Sequence, residues 1–207
     1  MAIIKSGASS DQLTIGATSK AARVTPFNSS GVESPTNNPT FTAAVVPTAS
    51  TAGTAGVICN IIGSATKTVR VYRISILATI ATTAAECRFN LFKRTTAVAS
   101  AGTSAAMTPV ALDSADTATA TANFFSAVGT IGTGGGILET RGALLGLVAS
   151  ATVPPAQVDF YCPQYGTSEA KPWVLRGVLQ SLEVTQVTAP ANTPTFAVAI
   201  YFSEDAS

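Results

Sequence analysis

Two carboxylate pairs, a glycine-rich hexapeptide and three cysteines are the residues of this 207-residue chain whose types and spacing could support chemistry. Asp113 and Asp116 stand three residues apart around Ser114. A pair of acids could serve as proton donor and base in glycoside hydrolysis. The same local pattern suits a turn in which aspartate caps backbone amides, and the turn is the expectation. Glu204 and Asp205 are neighbours near the end of the sequence and read as solvated charges on a fraying terminus. "GTGGGI", Gly132–Ile137, has the glycine content of a phosphate cradle but lacks the Gly-Lys-Ser/Thr ending that places a lysine on the phosphates, so it reads as a loop between strands. Cys59, Cys87 and Cys162 each sit in an apolar, strand-like run and are expected to be small buried hydrophobes. The chain has no histidine and no Cys-x-x-Cys pair. That removes a conventional zinc site and the usual catalytic triads, so neither a cofactor nor an enzymatic activity is expected.

Three further residues invite a functional reading. Arg70 and Arg73 flank Tyr72 at outward or edge positions of a long apolar run. They are expected to pair across a sheet, with Glu86 as one possible partner, or else to contact another chain. Trp173, the only tryptophan, lies in "KPWVLRG". It reads as a core residue beside a strand, with a sugar-stacking platform as the alternative.

Strands are the elements that must position these residues. "ECRFNLFKR" (86–94) alternates Cys87, Phe89 and Leu91 against Arg88 and Asn90, the period-2 signature of a half-buried strand. "PTFAVAIYF" places Phe196, Val198, Ile200 and Phe202 on one face and Thr195, Ala197, Ala199 and Tyr201 on the other, and "AQVDFYC" repeats the pattern with Val158, Phe160 and Cys162. In "KTVRVYRISILATIA" (67–81) Val69 and Val71 keep one phase while Ile74, Ile76, Ala78 and Ile80 keep the other. A one-residue slip near Tyr72–Arg73 is the mark of a β-bulge or of a strand that changes sheets. Further strands are expected at 40–46, 56–62, 106–112, 117–125, 173–178 and 179–187. Residues 96–106 and 129–142 read as loops, and one short helix is allowed near Glu139–Val148. Nine or ten short strands with Gly, Pro and Asn between them imply an all-β, jelly-roll-like antiparallel sandwich.

Composition bounds the class. Hydrophobic residues make up 46% of the chain and charged residues 11%, with a net charge of +1. The chain is too apolar to stay unfolded, and its balanced charge offers neither nucleic acid nor a membrane surface an attractive field. The abundance of threonine suits a pleated surface. No apolar run approaches the roughly 20 residues that span a bilayer, and "MAIIKSGASSD" lacks the apolar core of a signal peptide. Synthesis in a cytoplasm, with no nucleic-acid or membrane partner, is the expectation.

Residues 1–35 differ from the rest. "SGASSDQLTIGATSKAARVTPFNSSG" (6–31) is rich in Ser, Thr, Ala and Gly, with Leu13, Ile15, Val24 and Phe27 too sparse to bury a face alone. It reads as an extended N-terminal arm, with residues 36–207 as the β domain. The arm resembles an N-terminal segment of virion structural proteins of tailed bacteriophages, of the form S-G-A-T-S-D-x-L-T-V-D-x-x-S-K-A-A-R-V-x-x-Y-D. The matching residues are Ser6, Gly7, Ala8, Ser10, Asp11, Leu13, Thr14, Ser19, Lys20, Ala21, Ala22, Arg23 and Val24. The sequence departs at Gly16, where the pattern has an acid, and at Pro26, Phe27 and Asn28. "VLRGVLQSL" (174–182) is similar to a late strand pair of the same proteins.

In such proteins the shared segment precedes variable β domains, which implies that the segment attaches and the domain is displayed. The resemblance therefore implies a capsid decoration (cement) protein or head fibre, assembled in a host cytoplasm onto the outside of the virion. Its partners would be the major capsid protein or other virion proteins, and it would form a homotrimer. Lys20 and Arg23 would meet partner carboxylates while Leu13, Ile15 and Val24 fill partner pockets, with Asp11 also at the contact. A neck or tail fibre adaptor, or a receptor- or carbohydrate-binding virion module, is the alternative.

Overall fold

The computed structural model describes residues 3–5, 12–15 and 22–24 along their backbone, together with 39–51, 56–80, 85–96, 103–127, 133–147, 155–167, 170–188 and 193–206. The chain divides into two compact units, Met1–Asn38 and Pro39–Ser207. In the first, β1 (Ile3–Lys5), β2 (Gln12–Ile15) and β3 (Ala22–Val24) form an antiparallel sheet in that order. The segment read as an extended arm thus carries pairing of its own. Strands of three or four residues are at the short end of what sheets use.

The second unit is all-β, with β4 (Thr40–Ala49), β5 (Val57–Ile62), β6 (Lys67–Ile80), β7 (Ala85–Arg94), β8 (Ser104–Met107), β9 (Pro109–Ala111), β10 (Thr121–Phe125), β11 (Gly136–Leu147), β12 (Ala156–Tyr161), β13 (Trp173–Arg176), β14 (Ser181–Gln186) and β15 (Pro194–Ala206). One sheet runs β8-β10-β5-β14-β7-β11 and the other β9-β4-β15-β6, with β13 and β12 pairing successive halves of the remaining edge of β6. These pairings are antiparallel. The sheets join through a two-residue parallel contact, Gly146 opposite Thr79 and Leu147 opposite Ile80.

The inner faces of the two sheets form one core. Cys87, Phe89 and Leu91 of β7, Phe196 to Phe202 at alternate positions of β15, and Val158 and Phe160 of β12 are all buried, as their period-2 pattern requires. Phe89 meets Phe196 across the sheets edge-on, with ring centres 6.0 Å apart, and Phe41 stacks on Phe202 at 5.3 Å. Each such ring contributes about 1.5–3 kcal/mol when fully buried. Cys59, Cys87 and Cys162 are free and buried. Burial pushes the Cys59 and Cys87 thiols up to about 12 and raises Cys162 as well. Trp173 is half-buried and packs against the same core.

Two irregularities shape the sandwich. Along β6, Arg73 faces Tyr201 but Val71 faces Phe202. Tyr72 is therefore the extra residue of a β-bulge, and the slip read from the sequence is real. It separates the half of β6 that pairs β13 from the half that pairs β12. The run expected as one strand at 106–112 is two: Ser104–Met107 pairs β10 in one sheet, and Pro109–Ala111 pairs β4 in the other. Met107 is buried at this corner, where the chain passes between sheets.

Three expectations are corrected. The helix allowed near Glu139–Val148 is part of β11, whose residues from Glu139 to Leu145 pair in register with Leu91 to Ala85 of β7. Gly142 and Gly146 weaken a helix there, and pairing satisfies backbone groups that β7 would otherwise leave open at that edge. The loop assigned to 129–142 likewise gives way to strand from Gly136. Gly134 and Gly135 make the turn before it, with φ of 80° and 71°. A Cβ on Gly135 would fall 1.6 Å from the Lys93 carbonyl oxygen, so only glycine fits.

The third correction concerns the last charges, which are not solvated. Glu204 is fully buried in β15. Its carboxylate accepts hydrogen bonds from the Thr119 and Ala120 amides at 2.8 and 2.6 Å and from the Thr119 hydroxyl at 3.0 Å, and it pairs with Lys67 at 3.2 Å. Asp205 pairs with Arg70. A carboxylate can leave water only when so completely satisfied. Here it pins the segment before β10 to the end of β15.

Candidate functional sites

The residues expected to carry attachment fall partly within the described backbone. Leu13 and Ile15 lie in β2, and Arg23 and Val24 in β3. Asp11 and Lys20 lie outside the described residues. The register sets Ile4 opposite Leu13 and Leu13 opposite Val24, while Ile3 faces Thr14 and Thr14 faces Arg23.

Asp113 and the described glycines of the hexapeptide take part in turns. Asp113 accepts the Ala115 amide at its side chain, 3.1 Å, and the Asp116 amide at its carbonyl, 3.0 Å, which is turn capping. Gly134 and Gly135 close against Lys93 and Thr95 of the neighbouring strand end. Among the described residues no cluster of acids and cysteines could hold a metal ion. A cleft of about 280 Å³ is lined by Ser64, Thr66, Lys67, Thr68, Arg176 and Gly177. Its Lys67 is already engaged by Glu204 and the Thr117 carbonyl.

The densest polar and aromatic constellation lies on the outer face of the β12–β6–β15–β4 sheet. Register places Tyr161, Arg73, Tyr201 and Thr42 in one row across the four strands, and Asp159, Ser75, Ala199 and Ala44 in the next. The Arg73 guanidinium lies 5.2 Å from the Tyr161 ring centre and 5.4 Å from that of Tyr201, within cation–π range of both. Its Nε and Nη2 donate to Asp159 Oδ1 at 3.1 and 2.9 Å, and Gln157 donates to Asp159 Oδ2 at 3.0 Å. Although partial burial pushes the Asp159 carboxyl up, hydrogen bonds from Ser75 and Arg73, with the Arg73 charge, hold it below its ordinary value. Arg73 and Arg70 thus pair across strands as their positions suggested, but with Asp159 and Asp205. Glu86, the partner first considered, bonds Arg88 instead.

Tyr165 extends this row. Its ring centre lies 4.7 Å from that of Tyr161 at an interplanar angle of 37°, and the two residues are 45% and 37% exposed. It sits in a tight loop after β12: the Tyr165 amide donates to the Cys162 carbonyl at 3.1 Å and the Lys171 amide to the Pro163 carbonyl at 2.9 Å. Gln164, just before it, has φ of 59°, alone among the described non-glycine residues in being positive. Such strain persists where the surroundings enforce it. The sequence did not reveal this constellation, because its parts come from three distant strands. The outward phase of Tyr201 and Arg73 was the signal available.

Compared with family models, with curated proteins and with solved structures, the chain matches none.

Proposed function

We propose that this chain is a structural protein of a tailed-bacteriophage particle. A jelly-roll-like sandwich is displayed on the outside of the capsid, decorating or cementing it, and the N-terminal unit attaches it. The observation that carries the reading is the segment Ser6–Val24, whose residues, apart from Gly16, resemble the shared N-terminal segment of such virion proteins. Two further features support it. The chain divides at Asn38 into a small unit that contains this segment and a larger unit with its own core. Within the small unit, the backbone pairs Leu13 with Ile4 and Val24, and Thr14 with Ile3 and Arg23. A short sheet of this kind can extend a partner's sheet edge through its backbone while its side chains select the partner.

The work is mechanical. Binding free energy from attachment reinforces the shell, and no reaction, cofactor, nucleic acid or membrane is involved. The partner is the major capsid protein or another virion protein, and the displayed form is a homotrimer. Attachment at the neck or tail, as a fibre adaptor, is the second reading. Copy number separates the two, at hundreds per particle for a capsid decoration and about a dozen or fewer for an adaptor.

The test is binding to particles that lack the protein. Deleting residues 1–30 should abolish binding while the remaining domain keeps its β-rich circular dichroism and its melt. Lys20→Glu combined with Arg23→Glu should weaken binding by the amount expected for reversing one side of a desolvated charge contact, about 2–5 kcal/mol. Full binding by the deletion would reject attachment through this unit.

A further inference from the structure

We propose that the outer face of the β12–β6–β15–β4 sheet is a carbohydrate-binding platform, on which a neutral oligosaccharide stacks a sugar ring against Tyr165 and Tyr161. The inference rests on side chains of the second unit alone and does not depend on where the first unit attaches. A pyranose offers an apolar ring face and an edge of hydroxyls. An aromatic ring beside charged hydrogen-bonding groups complements both. Here Tyr161 and Tyr165 are partly exposed and packed together, with Arg73, Asp159 and Gln157 alongside.

The platform is built before any ligand arrives. Arg73 is held by Asp159 and lies against two tyrosine rings. Tyr165 is fixed by a hydrogen-bonded loop whose Gln164 holds a conformation that non-glycine residues rarely adopt. Groups already immobilised lose little freedom on binding. Beside the aromatic row, Ser75, Ala199 and Ala44 form the next row across the sheet, and their small side chains leave a chain of sugars room to lie flat.

Charge selects among ligands. Arg73 is neutralised by Asp159 at 2.9 Å and Arg70 by Asp205, so these two arginines offer a polyanion no surplus positive charge. Nucleic-acid binding needs several uncompensated cations to displace counterions, and neither Arg70 nor Arg73 is one. A neutral glycan needs none.

The experiment titrates the full chain with maltohexaose, cellohexaose, mannohexaose, laminarihexaose and chitohexaose, followed by calorimetry and tyrosine fluorescence. At least one should bind saturably at millimolar concentration or below. Tyr165→Ala should weaken that binding at least tenfold while leaving the melting temperature within about one degree and particle attachment unchanged. Asp159→Asn should weaken it less. Failure of all five sugars to bind, or equal binding by Tyr165→Ala, overturns the proposal. So does a preference for an acidic polysaccharide or single-stranded DNA over every neutral sugar. Self-association that Tyr165→Ala abolishes would assign the face to a second copy of the chain and overturn it equally.

Discussion

Lys67 and Arg73 lie six residues apart on β6, and each holds a carboxylate from a flanking strand, yet the two pairs sit in opposite surroundings. Lys67 meets Glu204, which has lost all contact with water. Arg73 meets Asp159, whose side chain keeps 17% of its exposure. Coulomb attraction between unit charges at about 3 Å is alike in both, but its consequence is set by what replaces water. Glu204 has two backbone amides and a hydroxyl in place of its hydration shell, so removing it strands several donors together. Asp159 can regain water when its partner is lost. The first pair belongs to the architecture, and the second leaves its cation and rings available at the surface.

Substitution can break that contrast. Glu204→Ala should cost the most, about 3–5 kcal/mol, because it leaves buried donors and a partly buried lysine uncompensated. At roughly 2–4 °C per kcal/mol for a domain of this size, the thermal melt should fall by about 6 °C or more. A loss under about 1 kcal/mol would show that the segment before β10 is held by other contacts. Asp159→Asn should cost about 1 kcal/mol. Its contribution is also pH-dependent. The folded carboxyl titrates below its ordinary value of 3.8, so its stabilisation is present above that value and is lost as pH falls through the lower folded one. Wild type should therefore lose its advantage over Asp159→Asn below about pH 4 in paired urea titrations. Arg88→Ala removes a pair whose partners are 59% and 62% exposed and should change the melt by no more than about 0.5 kcal/mol. Reductant should have no effect, since the three cysteines are free. A downward shift in the melt with dithiothreitol would contradict that assignment.

The interior was legible in the sequence because β-alternation is local. Residues 86–94, 156–162 and 194–202 declare their buried face within a single strand, and even the bulge at Tyr72 showed as a slip of phase. What escaped was set by partners distant along the chain. β11 has no clean alternation, and its strand character comes from pairing with β7. Glu204 looked exposed because nothing beside it in sequence shows that Thr119, Ala120 and Lys67 will enclose it. Tyr161 and Tyr165 are close in sequence, but Arg73 and Tyr201 reach them only through the register of β6, so no window of sequence contains their site. The division of 106–112 between two sheets likewise depends on β10 and β4.

One feature of the strand order bears on how the chain is made. β15 lies between β6 and β4, although it follows both of them far along the chain. Residues Pro194–Ala206 must therefore emerge from the ribosome before that sheet can close. Until then β4 and β6 have unpaired backbone edges toward the gap that β15 will fill, and their apolar faces lack the cover of Phe196 to Phe202. Pairings this distant in sequence make folding slow, and open strand edges favour aggregation during the wait. A nascent chain of this kind is a natural client for chaperones that shield exposed strands, and translation pauses ahead of residue 194 should lower its yield.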